Sequence, residues 1–235
     1  MRRGKGKISK MRKAIDQLID KIKELNNPTV IGLDPRYEMI PEHIRKKYDV
    51  TLEGAAEATL EFNKALIDAT YDIIPAIKPQ IAFYEAMGTK GIEVFKQTCD
   101  YAKQKGMLVI ADIKRGDIGS TAKGYSNAYL GKVALEGKEE SLFDVDFATV
   151  NPYLGIDGVK PFIEDCEKFE KGIFVLVKTS NPSSGELQDL KTEDGEEIYL
   201  KVAKLVDNWG KELIGEYGYS SVSAVVGATY PKQLQ

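Results

Sequence analysis

Ala111-Asp112-Ile113-Lys114-Arg115-Gly116-Asp117-Ile118-Gly119-Ser120-Thr121-Ala122 follows directly on the apolar run Met107-Leu108-Val109-Ile110. The apolar run reads as a strand buried within a sheet. Side chains alternate faces along a strand, so Asp112 and Lys114 are expected to point the same way. Arg115-Gly116 then turns the chain and brings Asp117 just past the strand end. Two carboxylates and one ammonium converge at the mouth of a parallel sheet. Three full charges there are expensive to desolvate unless they serve one another and a ligand. A lone Asp-x-Lys at a strand end is most often a surface ion pair. The longer string D-x-K-x-x-D-I-G-x-T is far more specific.

Outward from this segment, strand and helix patterns alternate. Residues 29–33, 74–78, 107–113, 147–150, 173–177 and 222–226 read as short strands. Residues 52–71, 91–105, 120–130, 159–169 and 196–217 read as helices between them. Gly106 and Gly131 stand where helix C-caps are expected. Ahead of these units, Ser9 is a plausible N-cap for a covering helix to Leu25. Met11, Ile15, Leu18, Ile22 and Leu25 fall at helical spacing along it, and Asn26-Asn27-Pro28 ends it. Residues 1–8 form a basic, Gly-containing tail, and 9–235 read as one domain. Repeated βα units with β-branched strands predict an α/β protein with a parallel sheet. A (β/α) barrel and a doubly wound sheet share this pattern, which alone does not separate them.

Composition narrows the function. The chain has 235 residues, within reach of one barrel domain. Its net charge of −3 gives no electrostatic case for nucleic acid. No apolar stretch approaches the ~20 residues that cross a bilayer, and the N-terminus lacks a signal-peptide core. Cys99 and Cys166 lie far apart, without CxxC spacing, and read as buried free thiols. These features fit the cytoplasm. His43, in Pro41-Glu42-His43-Ile44-Arg45, is the one histidine, which disfavours a Ser-His-Asp triad or a His-rich metal site. With neither G-x-x-x-x-G-K-[ST] nor G-x-G-x-x-G present, catalysis has to rest on Lys and carboxylates.

The D-x-K-x-x-D-I-G-x-T string resembles the orotidine 5'-phosphate decarboxylase family, particularly its longer bacterial-type branch. Other strand ends carry the same resemblance: Ile31-Gly32-Leu33-Asp34-Pro35, Ala76-Ile77-Lys78-Pro79-Gln80, Val150-Asn151-Pro152-Tyr153 and Lys178-Thr179-Ser180-Asn181-Pro182. It spans roughly residues 29 to 229. It implies a (β/α)8 TIM-barrel fold with about six of the eight βα units in this chain. The family's two further strands bear a Pro-Gly-rich loop and an Arg that grip the substrate phosphate. The chain therefore reads as incomplete at its C-terminus, lacking the phosphate-binding residues, and is expected to lose most activity on its own.

The resemblance implies cofactor-free decarboxylation of orotidine 5'-monophosphate to uridine 5'-monophosphate and CO2, with no bound metal. Lys114 would stabilise the developing carbanion and donate a proton, held charged and aimed by Asp112 and Asp117. Asp34 and Lys78 match residues that contact ribose hydroxyls, although each reads equally well as a turn or a strand stop. Ser180 matches the residue that bonds the pyrimidine edge. Asn181-Pro182-Ser183-Ser184-Gly185 resembles a mobile lid and equally an ordinary solvated loop. Ile118 lines the CO2 pocket or, as readily, packs in the core. The residues matching Asp117 and Thr121 reach into the partner's site, implying a homodimer with shared active sites. Two alternatives stand beside this reading. One is an Mg²⁺-dependent sugar-phosphate decarboxylase or hexulose-phosphate synthase of the same barrel group. The other is a non-catalytic nucleotide-binding remnant.

Overall fold

The structure is a computed structural model and describes residues 12–229 and 231–234. Residues 1–8, Ser9 and Met11 lie outside the described residues. In chain order the elements are α1 (Ala14–Leu25), β1 (Val30–Leu33), α2 (Glu42–Arg45), α3 (Leu52–Thr70), β2 (Ala76–Pro79), α4 (Ile81–Glu85) and α5 (Gly88–Gln104). There follow β3 (Leu108–Arg115), α6 (Gly119–Tyr129), β4 (Val133–Leu135), β5 (Lys138–Glu140), β6 (Phe147–Val150) and α7 (Ile156–Phe169). The last are β7 (Gly172–Lys178), α8 (Gly185–Gln188), α9 (Ile198–Gly210) and β8 (Val222–Val226).

The main sheet has six strands in the order β1-β2-β3-β6-β7-β8, and every neighbouring pair is parallel. Doubly wound sheets reverse their strand order at a switch point. Here each strand lies beside the next one of the sheet along the chain, which is the winding of a (β/α) barrel. This order resolves the ambiguity that strand spacing leaves open.

Both faces of the sheet are buried, as the apolar strands require. Ile77, Val109, Ala111, Ala148, Val150, Ile173, Val175 and Val177 join the main core, with Val159 and Phe162 of α7 and Val94 and Phe95 of α5. The alternate residues Ala76, Leu108, Ile110 and Phe147, with Phe174, form a second cluster against Ala14, Ile15 and Leu18 of α1. The face carrying this second cluster therefore has an apolar floor, covered by α1. Two residues further along three of these strands, the same face presents Lys78, Asp112 and Thr149.

Several departures from the sequence expectations have local causes. The first helix begins at Ala14, because Lys13 is extended (φ −55°, ψ 139°). The helix expected from Gly91 starts at Gly88. Gly91 is no helix break: a Cβ there would lie 1.9 Å from the Tyr84 carbonyl oxygen, so glycine lets α5 approach α4. The last long helix ends at Gly210 rather than near Tyr217, where the Ser220 hydroxyl donates to the Gly210 carbonyl at 2.8 Å. The β4–β5 hairpin was not legible, because all six of its residues are exposed and no buried face imposes an alternation. Cys99 and Cys166 are free and buried, as expected.

Candidate active site

The strand β3 does not run smoothly to its end. Ala111 pairs with Ala148 of β6, but the next paired residue on β3 is Arg115, opposite Val150. Asp112, Ile113 and Lys114 thus bulge outward opposite Thr149 alone. Lys114 takes φ +45°, a left-handed conformation uncommon for a residue with a side chain. The Thr149 hydroxyl accepts the backbone N–H of Ile113 and of Lys114, each at 2.9 Å. The ladder resumes where Asn151 N–H donates to the Arg115 carbonyl at 2.8 Å. Bulges of this kind re-aim side chains next to sites.

The bulge gathers charge around one carboxylate. Asp112 is only 6% exposed. Its Oδ1 accepts from Lys114 Nζ at 2.5 Å and from Thr149 Oγ1 at 3.0 Å, and its Oδ2 accepts from Lys78 Nζ at 2.8 Å. Lys78 is half-buried and Lys114 is exposed at the mouth of the sheet. Burial pushes the Asp112 carboxyl up, but the hydrogen bonds from Lys114 and Lys78 outweigh it and hold it below the usual carboxylate range. The neighbouring Arg115 pairs with Glu85 at the end of α4 and lies over the Tyr125 ring, tying the strand end to two helices.

The sequence-predicted residues divide into those that this cluster unites and those it does not. Asp112, Lys114 and Lys78 meet directly. Asp117, expected to help hold Lys114 and to reach into a partner's site, does not meet Lys114 within the chain. The Asp117 carboxylate accepts the backbone N–H of Ile118 at 2.7 Å, and it forms no ion pair among the described residues. Its short reach is spent on the turn into α6. Ile118 is 62% exposed, which overturns its reading as a core residue. Thr121 is exposed on the first turn of α6, and Asp34 is exposed beyond β1. Ser180 lies beyond β7 against Gly227, where an added Cβ would come within 2.9 Å of the Ser180 backbone nitrogen.

The 181–185 segment forms a 3-10 turn leading into α8. Its surroundings are tied by polar contacts. Lys178 Nζ donates to Asp189 Oδ1 at 2.6 Å and to Ser184 Oγ at 3.2 Å, and Gln188 bonds the Thr179 backbone N–H and hydroxyl. Thr149 was missed by sequence reasoning. Its signal is a polar residue at an inward position of the apolar strand Phe147-Ala148-Thr149-Val150. Among the described residues, no group of three or more His, Cys, Asp or Glu side chains is placed to hold a metal ion. Among them, too, no helix is long and apolar enough to cross a membrane.

A lysine ammonium fixed by a buried carboxylate, beside a second lysine, offers stabilisation of developing negative charge and a proton. Barrel winding with charged groups at the C-terminal ends of parallel strands defines the class: an α/β-barrel enzyme. The sequence pattern of the Orotidine 5'-phosphate decarboxylase / HUMPS family matches residues 27–235, and the chain belongs to this family. An orotidine 5'-phosphate decarboxylase of Caldicellulosiruptor bescii is 48% identical over 221 residues, covering 92% of this chain and 72% of that protein. One from Clostridium perfringens is 41% identical over 220 residues, covering 94% and 72%. The structure of Leishmania donovani OMP decarboxylase superposes with a TM-score of 0.68 at 30% identity, covering 94% of this chain and 73% of that one.

The lowered pKa of the Asp112 carboxyl has a consequence for stability. Its folded-state pKa lies below the unfolded value, so its contribution is present above about pH 4 and is lost as pH falls through the folded pKa. Asp112→Asn, which cannot ionise, is expected to be less stable than wild type at neutral pH. The gap is expected to shrink as pH falls below about 4. Urea unfolding of both proteins between neutral and acid pH checks this; a gap that stays constant contradicts it.

Proposed function

We propose that this protein decarboxylates orotidine 5'-monophosphate to uridine 5'-monophosphate and CO2, in de novo pyrimidine synthesis. The observation that carries the reading is the buried Asp112 carboxylate with Lys114 and Lys78 on its two oxygens, in a chain of this family. In the reaction the bond from C6 to the carboxylate carbon breaks and CO2 leaves. The electron pair stays in an sp² orbital at C6, where no ring carbonyl delocalises it well. The Lys114 ammonium stabilises that pair and delivers a proton to C6, leaving a neutral amine that solvent reprotonates.

Magnitudes limit what one lysine does. A unit charge pair at ~4 Å is worth roughly 4 kcal/mol at an effective dielectric of 20. Enzymatic rate enhancements correspond to about 8–23 kcal/mol. Binding energy from the rest of the nucleotide has to supply much of the remainder. Asp112 fixes Lys114 and, beside the substrate carboxylate, adds a repulsion relieved as CO2 departs. We rank this second effect below carbanion stabilisation. Asp34 and Lys78 are assigned to the ribose hydroxyls, Ser180 to the pyrimidine edge and Ile118 to the CO2 pocket. The reaction needs no cofactor in this reading. Relatives named as orotidine 5'-phosphate decarboxylases favour it over the Mg²⁺-dependent sugar-phosphate alternative.

The same reading makes the protein a cytoplasmic homodimer, with Asp117 and Thr121 acting in the partner's site. Support comes from exposed apolar side chains beside the mouth: Ile118, Tyr153, Leu154 and Ile156. They sit on the turn before α6 and on the loop and first turn of α7, which are in contact, since a Cβ on Gly158 would lie 3.0 Å from the Asp117 carbonyl oxygen. An Asp117 free of Lys114 within its own chain suits a role in trans.

Loss of ultraviolet absorbance of orotidine 5'-monophosphate, followed in EDTA, tests the activity. Wild type is expected to show a reduced turnover, and Lys114→Ala to be slower than it by a further ~10³-fold or more. EDTA-sensitive turnover, or a fully active Lys114→Ala, contradicts the reading. Sedimentation is expected to show a dimer for wild type and a monomer for the double variant Ile118→Asp/Tyr153→Asp; a monomeric wild type contradicts the shared site.

A further inference from the structure

We infer that Thr149 is a positioning residue for the decarboxylation, its hydroxyl setting the bulge that aims Lys114 at the reacting carbon. The inference rests on the decarboxylase reading and adds a residue to it.

A threonine hydroxyl has one proton to donate and two lone pairs to accept with. At Thr149 all three are committed. Both lone pairs take backbone N–H groups, from Ile113 and Lys114, at 2.9 Å each. The proton therefore has one direction left, toward Asp112 Oδ1 at 3.0 Å. The residue is 4% exposed, so water does not compete for these bonds. A saturated hydroxyl cannot rotate without breaking a bond, and its orientation is fixed.

Each of the three bonds acts on the site. The two backbone bonds satisfy N–H groups that the interrupted β3–β6 ladder leaves without strand partners. They hold Lys114 in its left-handed backbone conformation, φ +45°, which sends its side chain back to Asp112. The third bond fixes the same Asp112 oxygen that receives the Lys114 ammonium. One side chain thus sets both the backbone from which the lysine projects and the anion that holds its tip. Thr149 itself makes no contact that requires a substrate. Its effect passes through Lys114 and Asp112.

Three features distinguish this role from ordinary packing. Valine has the same shape as threonine and keeps the packing, but supplies no acceptor and no proton. Serine keeps the hydroxyl and loses only a methyl group. Because Lys114 acts in the chemical step, its misplacement falls on kcat rather than on nucleotide binding.

The test is steady-state kinetics of Thr149→Val and Thr149→Ser, with hydrogen exchange of the wild type. Thr149→Val is expected to lose about 10²-fold in kcat with KM nearly unchanged. Thr149→Ser is expected to stay within about threefold of wild type in kcat, since all three hydrogen bonds remain available. In wild type the amides of Ile113 and Lys114 are expected to exchange slowly, like those of the paired strand residues. Unchanged kcat in Thr149→Val, equal loss in both variants, or a rise in KM alone overturns the inference while leaving the decarboxylase reading intact. If Thr149→Val fails to fold, the exchange measurement decides: amides of Ile113 and Lys114 that exchange as fast as exposed loop amides overturn the inference. A wild type without turnover overturns the decarboxylase reading, and the inference with it.

Discussion

A carboxylate taken almost wholly out of water is stable only if cations and hydrogen-bond donors surround it, and Asp112 imposes that requirement on three neighbouring strands. Lys78 answers from β2, Lys114 from β3 itself and Thr149 from β6. Two lysines so close would repel one another without the anion between them. Removing one partner of a buried pair costs far more than the pair contributes, because an uncompensated charge remains. The cluster therefore stands or falls as a unit, which suits a group that has to stay charged and aimed.

The rest of the fold provides a rigid place for that cluster. Sequential parallel strands bring their C-terminal ends together, and α1 covers the apolar floor below. The floor keeps water from reaching Asp112 from beneath, so its charges are balanced by protein groups. Above the floor, the ladder between β3 and β6 gives way. A residue such as Lys114 in a left-handed conformation costs of order 1–3 kcal/mol. That strain persists because the Thr149 hydroxyl, the Arg115–Asn151 backbone bond and the Arg115–Glu85 ion pair hold both sides of the bulge.

Much of this was legible in the residues. The six parallel strands followed from apolar runs at βα spacing, and the meeting of Asp112 with Lys114 followed from the motif. Alternation was the wrong reason for that meeting, however: Lys114 reaches Asp112 through a bulge and a left-handed backbone, which local pattern does not encode. Lys78 joined the cluster because its strand lies beside β3, a fact of strand order. Thr149 looked like one more strand residue until its partners were known. Spacing placed Asp117 only near the strand mouth, its tie to Lys114 came with the resemblance, and the turn into α6 gives its carboxylate to the Ile118 amide. The β4–β5 hairpin was invisible because nothing in it is buried.

The central claim is that the ammonium fixed by Asp112 is the proton donor to C6. Microscopic reversibility makes the product a probe: the donor that protonates C6 in the forward direction removes that proton in reverse. Uridine 5'-monophosphate incubated with the protein in D2O and followed by NMR reports this directly. Wild type is expected to exchange the C6 hydrogen for deuterium, and Lys114→Ala to bind the nucleotide without exchanging it. Equal exchange by both proteins would contradict Lys114 as the donor.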